Sequence, residues 1–311
     1  MNNIDQRWKD MSINFQDRVV IVTGAGSGLG RQHALSFAAR GAKVVVNDFG
    51  GNRDGTGGSS EAALAVVEEI RKSGGIAIAN GANVTDVLEV KALVEQTVGE
   101  FGRVDVLVNN AGILRDKSFS KLELQDFAAV VNVHLQGSVN CTKAVWDIMR
   151  KQEYGRIVMT ASAAGLYGNF GQANYGAAKA AVIGLMNVLH QEGFKSNIRI
   201  NTVAPMATTR MTEDLLPPAA KQALVPERVT PAVLFLSSED APSKMILSAG
   251  GGAFAAAAVM ETAPVYIPDT DLSPEYIAQQ IGKIADWTTA VRYENADQEI
   301  KRFLELVLSA R

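Results

Sequence analysis

In the stretch TASAAGLYGNFGQANYGAAKAAV, Tyr175 and Lys179 stand four residues apart, so on a helix their side chains share a face. A free tyrosine is protonated at neutral pH and is a poor base. A neighbouring ammonium favours the phenolate and is expected to lower its pKa toward the working range. Ser162 stands thirteen residues before the tyrosine and can donate a hydrogen bond to a substrate oxygen. A Tyr–Lys pair at this spacing arises often by chance. Chance becomes improbable when the serine precedes it and a nucleotide-binding turn lies upstream.

That turn is VTGAGSGLGR, placed where a buried strand gives way to a helix. Free N–H groups at a helix start suit a pyrophosphate, and glycine lets the backbone turn tightly and approach it. The glycines are Gly24, Gly28 and Gly30, with Gly26 as an extra, and Leu29 takes the place of the third glycine of a strict G-x-G-x-x-G. Asp48 ends the second strand about twenty residues on, where a carboxylate can accept from both hydroxyls of the adenosine ribose. Its charge would repel a 2′-phosphate, so it favours NAD over NADP; the competing reading is a turn or capping aspartate. Arg53, further into the loop, is a phosphate partner that would weaken the preference.

These residues need elements to hold them. From Asp17 the chain alternates short Val/Ile runs (RVVIVTG, AKVVVND, IAIAN, VDVLVNN, GRIVMTAS, NIRINTVAP) with amphipathic stretches, including long helices from about Gln125 to Met149 and from about Ala173. Continuous rather than alternating apolar strands indicate burial on both faces, hence a parallel sheet between helices. The class is α/β: a Rossmann-like, doubly wound parallel sheet of about seven strands with a C-terminal helical extension. Residues 1–15 read as an N-terminal extension, 16–250 as the NAD-binding and catalytic domain, and 251–311 as an extension docked on it. In that tail GGGAFAAAAVM reads as a last strand against something close-packed. Ser273 caps a helix opened by Pro274, and Ile300, Phe303, Leu304, Val307 and Leu308 form an apolar stripe expected to pack.

Composition excludes several classes. A net charge of −3 leaves no nucleic-acid footprint. No apolar run reaches the length of a membrane span, and the polar opening MNNIDQRWKD points to the cytoplasm. Cys141, the one cysteine, reads as a buried inert thiol, and the three histidines share no metal-ligand spacing, so no metal is expected.

Together the motifs resemble those of the short-chain dehydrogenase/reductase family over about residues 15 to 240: TGAGSGLG, the NNAG of Asn109 to Gly112, and Tyr175-Gly-Ala-Ala-Lys179 with Ser162. The resemblance implies reversible hydride transfer between NAD and a secondary alcohol. Tyr175 would exchange the hydroxyl proton, Ser162 hold the substrate oxygen, Lys179 lower the tyrosine pKa and bond the nicotinamide ribose, and Asn132 hold a relay water. The cofactor contacts implied are Gly24, Ser27, Gly28, Leu29 and Gly30, then Asp48, Asn83 and Val84. Asn110, Ala111 and Gly112 follow, with Tyr175, Lys179, Pro205 and Thr208. Two departures stand out: Asn83 occupies a position where members often carry Asp, and Met206 replaces the usual glycine after Pro205.

NDFGGNRDGTGGSS, APMATTRMTEDLLP and the region from Arg228 onward look like the (3R)-hydroxyacyl-CoA dehydrogenase branch, in which this part is joined to others in a multifunctional β-oxidation enzyme. A free-standing bacterial version acting on an acyl-CoA thioester is expected, as a homodimer through the helices carrying Asn132 and Tyr175, or a tetramer. Alternatives are an NADP-dependent β-ketoacyl reductase, a hydroxysteroid dehydrogenase, a cofactor-binding regulator without turnover and, least favoured, a scaffold that binds no ligand.

Overall fold

The computed structural model describes residues 12–59, 61–208 and 217–310, and expectations that fall on the rest lie outside them. It divides into two compact units, Met1–Ala256 and Ala257–Arg311.

In the first unit the Val/Ile runs form β1 (Val19–Thr23), β2 (Lys43–Asn47), β3 (Ile76–Asn80), β4 (Val106–Asn109), β5 (Gly155–Thr160) and β6 (Ile198–Pro205). Two more strands, β7 (Ile246–Gly250) and β8 (Ala253–Ala257), complete one sheet in the order β3-β2-β1-β4-β5-β6-β7-β8. Every strand pairing from β3 to β7 is parallel. All of β1 and β4 is buried, as strands covered on both faces must be. The covering helices include α1 (Gly28–Ala38), α2 (Glu61–Lys72), α3 (Val87–Phe101) and α4 (Leu124–Val131). They continue with α5 (Gly137–Gln152), the short α6 (Ala163–Tyr167), α7 (Ala173–Gly193), α8 (Pro218–Ala223) and α9 (Thr230–Leu236).

Two local expectations need correction. The helix read from about Gln125 to Met149 is broken by a π-turn at Asn132–Gln136, which separates α4 from α5. The alanine-rich strand is not close-packed: β8 is an edge strand, and Ala253 to Ala256 are exposed. Gly251 and Gly252, both at positive φ, make the two-residue turn that leads from β7 into it.

The second unit holds α10 (Pro274–Ile284) and α11 (Ala296–Ser309), with an antiparallel bridge between Glu261 and Val291. Ser273 caps α10 by accepting from the Tyr276 N–H, as its position before Pro274 predicts. Within α11 no residue is buried, so the expected packing of the Ile300–Leu308 stripe is not seen in this unit.

At the opposite edge of the sheet from the cleft, Arg156 on β5 is fully buried. Its guanidinium lies 4.2 Å from the Tyr154 ring centroid and donates to the carbonyls of Gly155, Asn197, Ser238 and Glu239. Removing those donors leaves buried acceptors unpaired, at about 1–3 kcal/mol each. Arg156→Met is therefore expected to lower the unfolding free energy by at least about 3 kcal/mol in a denaturant titration. A loss below about 1 kcal/mol would show that the carbonyls find other partners.

Candidate active site

Along the C-terminal edge of the sheet runs one cleft of about 780 Å³. Gly24, Ser27, Gly28 and Leu29 line one end of it. Gly24 and Gly28 sit at positive φ, and a Cβ on Gly24 would stand 2.8 Å from the Ala111 Cα. Gly30 does not line the cleft. It does the work expected of a third glycine one position further along, since a Cβ there would come within 2.2 Å of the Gly24 carbonyl oxygen. Ser27 caps α1 without a side-chain cap bond, and no acid occupies the first turn. This cradle fits an anionic pyrophosphate.

Asp48 lines the same cleft, and both its oxygens are engaged by the chain. Oδ2 accepts from the Gly26 N–H at 2.7 Å and Oδ1 from the Gly50 N–H at 2.6 Å. The ribose reading and the turn reading therefore coexist in one carboxylate, which retains further lone pairs. Asn83 also lines the cleft, but its Oδ1 accepts from Thr85, leaving its amide N–H₂ to face a ligand. Val84 lines the cleft as well; its carbonyl accepts from the Asn140 amide, and a Cβ on Gly137 would stand 2.7 Å from its side chain. Asn110 lines the cleft with Ala111 and Gly112, while its side-chain amide donates to the Thr23 and Gly24 carbonyls.

At the other end stand Ser162, Tyr175, Lys179 and Asn132. Ser162 follows β5 and caps α6, its hydroxyl accepting from the Ala164 N–H at 3.2 Å, and it favours the Tyr175 phenolate. Asn132 opens the π-turn, its side chain exposed to the cleft. Lys179 is buried and donates to the Thr160 carbonyl, with Nζ 5.5 Å from the Tyr175 ring centroid. Burial pulls its pKa from 10.5 down to about 7. The expected lowering of the tyrosine pKa is absent from this structure. Burial raises the Tyr175 pKa above 10, opposed by the Ser162 hydrogen bond and reinforced by Asp116. The lysine fails to reverse this because desolvation disfavours its own charge as well.

Pro205 and Met206 close the far side of the cleft. Met206 takes the usual glycine position without strain because room is made opposite: a Cβ on Gly250 would stand 2.6 Å from the Met206 Cβ. Thr208 does not line the cleft; its hydroxyl donates to the Lys221 carbonyl. Residues 209–216, part of the branch resemblance, lie outside the described residues. Cys141 is buried and its pKa is pushed up to about 12, as an inert thiol requires. Sequence reasoning missed His134 and Asn174, which touch the motifs rather than belong to them, and gave no role to Thr23, which opens TGAGSGLG. A lone histidine in an apolar helix gives no signal of its own.

The profile described as short chain dehydrogenase matches residues 18–219. The chain is 48% identical over 279 residues to the peroxisomal hydratase-dehydrogenase-epimerase of Saccharomyces cerevisiae, covering 89% of this chain and 31% of that one. It thus spans about a third of that relative's length. The 3-oxoacyl-[acyl-carrier-protein] reductase of Synechocystis is 44% identical over 231 residues, covering 72% of this chain and 90% of the relative. Among solved structures, the full-length peroxisomal multifunctional enzyme type 2 of Drosophila melanogaster superposes with a TM-score of 0.81 at 36% identity. That match covers 96% of this chain and 51% of the fly chain.

The buried lysine has a measurable cost. Its folded pKa lies below its unfolded one, so between about 7 and 10.5 the native chain binds fewer protons than the unfolded chain. Stability from this group therefore rises with pH across that window. Lys179→Met should abolish turnover yet raise the melting temperature, most at or below neutral pH and less toward pH 10.5. Thermal unfolding of both proteins at about pH 6.5 and 9.5 tests this, and an equal gain at both would refute it.

Proposed function

The chain belongs to the short-chain dehydrogenase family of oxidoreductases, and from that premise we propose that it interconverts (3R)-3-hydroxyacyl-CoA and 3-ketoacyl-CoA thioesters with NAD. The observation that carries this is one cleft with Asp48 toward one end and Ser162, Tyr175 and Lys179 at the other. The thioester class is supported by the relatives, one of which is named for 3-oxoacyl reduction. It is also supported by the glycine-rich loop after Asp48, which resembles the (3R)-hydroxyacyl-CoA branch. NAD rather than NADP follows from the fixed Asp48 carboxylate, whose charge disfavours a 2′-phosphate.

Gly24, Ser27, Gly28 and Leu29 would hold the pyrophosphate of a nicotinamide dinucleotide whose chemistry would be to accept a hydride from the alcohol carbon or donate one to the ketone. The chain's own residues handle position and protons. Ser162 orients the substrate oxygen through its hydroxyl. Tyr175 exchanges the proton with that oxygen, and its phenol, held protonated by burial, is set to donate it to a ketone near neutrality. Oxidation requires the phenolate, which the Lys179 ammonium favours once charged. The Thr160 carbonyl holds Lys179 at this post. Asn132, exposed at the cleft wall, holds the water that passes the proton outward.

A homodimer through the helices that carry Asn132 and Tyr175 is part of this reading, supported by Leu124 and Val188, which are exposed on α4 and α7. Among the described residues no helix is long and apolar enough to cross a membrane. The expected cytoplasmic location differs from the compartment in the names of the peroxisomal relatives.

A substrate panel tests the proposal. Initial rates should be highest with NAD and (3R)-hydroxyacyl-CoA, below that with the (3S) isomer and with steroids, and lower still with NADP. A preference for NADPH and acyl-carrier-protein thioesters would replace it with the β-ketoacyl reductase reading. Tyr175→Phe should lose at least about a hundredfold in kcat, the scale of general acid–base catalysis, while NADH fluorescence titration stays unchanged. A variant that keeps most of its rate would refute the proton-transfer role.

A further inference from the structure

We infer that His134 is a positioning residue for Tyr175: it fixes the tyrosine ring and the chain after β4 in one arrangement, and so governs turnover rather than cofactor binding. The inference rests on the proton-transfer role proposed for Tyr175.

His134 lies inside the π-turn Asn132–Gln136 and is 3% exposed. Its ring meets the Tyr175 ring edge-on, with centroids 5.1 Å apart and planes at 84°. Such a contact restrains the direction of an aromatic ring more tightly than an aliphatic contact does. The other side of the imidazole is tied to Ile113, with Nε2 2.8 Å from the carbonyl oxygen and 3.2 Å from the backbone nitrogen. Either tautomer ties the ring to Ile113: Nε2–H donates to the carbonyl, or Nε2 accepts from the backbone N–H. Gly112 makes the approach possible, since a Cβ there would stand 2.3 Å from the His134 Cε1.

These contacts close a circuit. From Ile113 the chain runs to Arg115, whose carbonyl accepts from the amide of the fully buried Asn174. The Oδ1 of Asn174 accepts from the Tyr175 backbone N–H at 2.8 Å. Tyr175 is therefore gripped twice by one segment, at its ring through His134 and at its backbone through Asn174. A residue that served only as filler would need no hydrogen bond to Ile113, and it would not need glycine at 112.

The imidazole is not a second acid or base. Burial, and then the nearby Lys179 charge, hold its pKa well below 6.5, so it stays neutral and leaves the ammonium as the cation beside the phenol. A neutral, fully enclosed ring can set direction without competing for the proton.

His134→Leu and His134→Gln test the inference in the full chain, with a 3-ketoacyl-CoA and NADH as substrates and Tyr175→Phe as control. Displacement of a reacting group by about 1 Å costs on the order of a hundredfold, so kcat of His134→Leu should fall about tenfold to a hundredfold. The thioester KM and the NADH Kd should stay within about threefold, and His134→Gln, which can still donate to Ile113, should recover part of the loss. A kcat within about twofold of the parent in both variants overturns the inference. So does a parallel fall of kcat, NADH affinity and melting temperature in both. If the leucine variant does not fold, the glutamine variant alone is judged by the same limits. Turnover by Tyr175→Phe would instead overturn the proton-transfer reading and this inference with it. An inactive Tyr175→Phe beside fully active His134 variants sinks only the inference.

Discussion

β1 and β4 lie side by side, and the chain leaves them toward opposite ends of the sheet, so a crevice must open between the two loops. That crevice keeps one shape only if the loops are tied across it. The Thr23 hydroxyl makes the tie, accepting from the N–H groups of both Asn110 and Ala111. Asn110 answers by donating to the Thr23 and Gly24 carbonyls. With the two backbones this close, neither Gly24 nor Gly30 has room for a Cβ. The glycine turn is thus fixed from two directions: by the loop it must face, and by the cofactor it is shaped to admit. Every later residue of the site is placed relative to this joint.

A second constraint is electrostatic. Holding an ammonium inside the protein opposes its own charge, and the chain accepts that cost at one position. Lys179 cannot withdraw, because α6 packs so closely on α7 that a Cβ on Gly165 would stand 2.6 Å from the Lys179 backbone carbon. Its Nζ is committed to the Thr160 carbonyl at the end of β5, the strand that leads directly to Ser162. One strand end therefore locates both the cation and the serine proposed to hold the substrate oxygen. The neighbouring histidine is kept neutral, which leaves the Lys179 ammonium and the Asp116 carboxylate as the charges near the phenol. Burial thus holds the phenol protonated near neutrality and brings the lysine pKa down to about 7.

Much of this was legible in the residues. Unbroken Val/Ile runs announce strands buried on both faces, and six of the eight were read from them; β7 was not named separately, and β8 was misread as packed. The Tyr175–Lys179 spacing and Ser162 could be placed because a helix and a strand end leave few alternatives. What escaped depends on contacts between distant segments. A π-turn needs one extra residue in a helix that the apolar period does not reveal, and His134 acquires meaning only against Gly112, Ile113 and Tyr175. The direction of the tyrosine pKa was misjudged for the same reason. Pattern shows a charge nearby, whereas the outcome depends on how far both groups leave water. Thr208 was assigned by motif, and its hydroxyl is directed elsewhere by α8.

The glycine-rich loop after Asp48 illustrates how a compositional oddity can be mechanical. Asp48 anchors its start through Gly50, and Ser59 donates back to the Phe49 carbonyl, so its two ends are held together. Its middle reaches the segment after β4: the Arg53 carbonyl accepts from Leu114 N–H, and the Asp54 carbonyl accepts from Arg115. A Cβ on Gly55 would press on Ile113 at 3.1 Å, so glycine is the residue that allows the loop to lie flat there. Residues 113–115 are also the segment that holds His134 and Asn174 against Tyr175. One short stretch of backbone therefore carries load from the loop expected to cover the adenosine and from the tyrosine expected to move the proton. A flexible linker would have no reason to make those bonds. Glycine is frequent in this loop because the turn at Gly50 needs positive φ and because the contact at Ile113 leaves little room for a side chain.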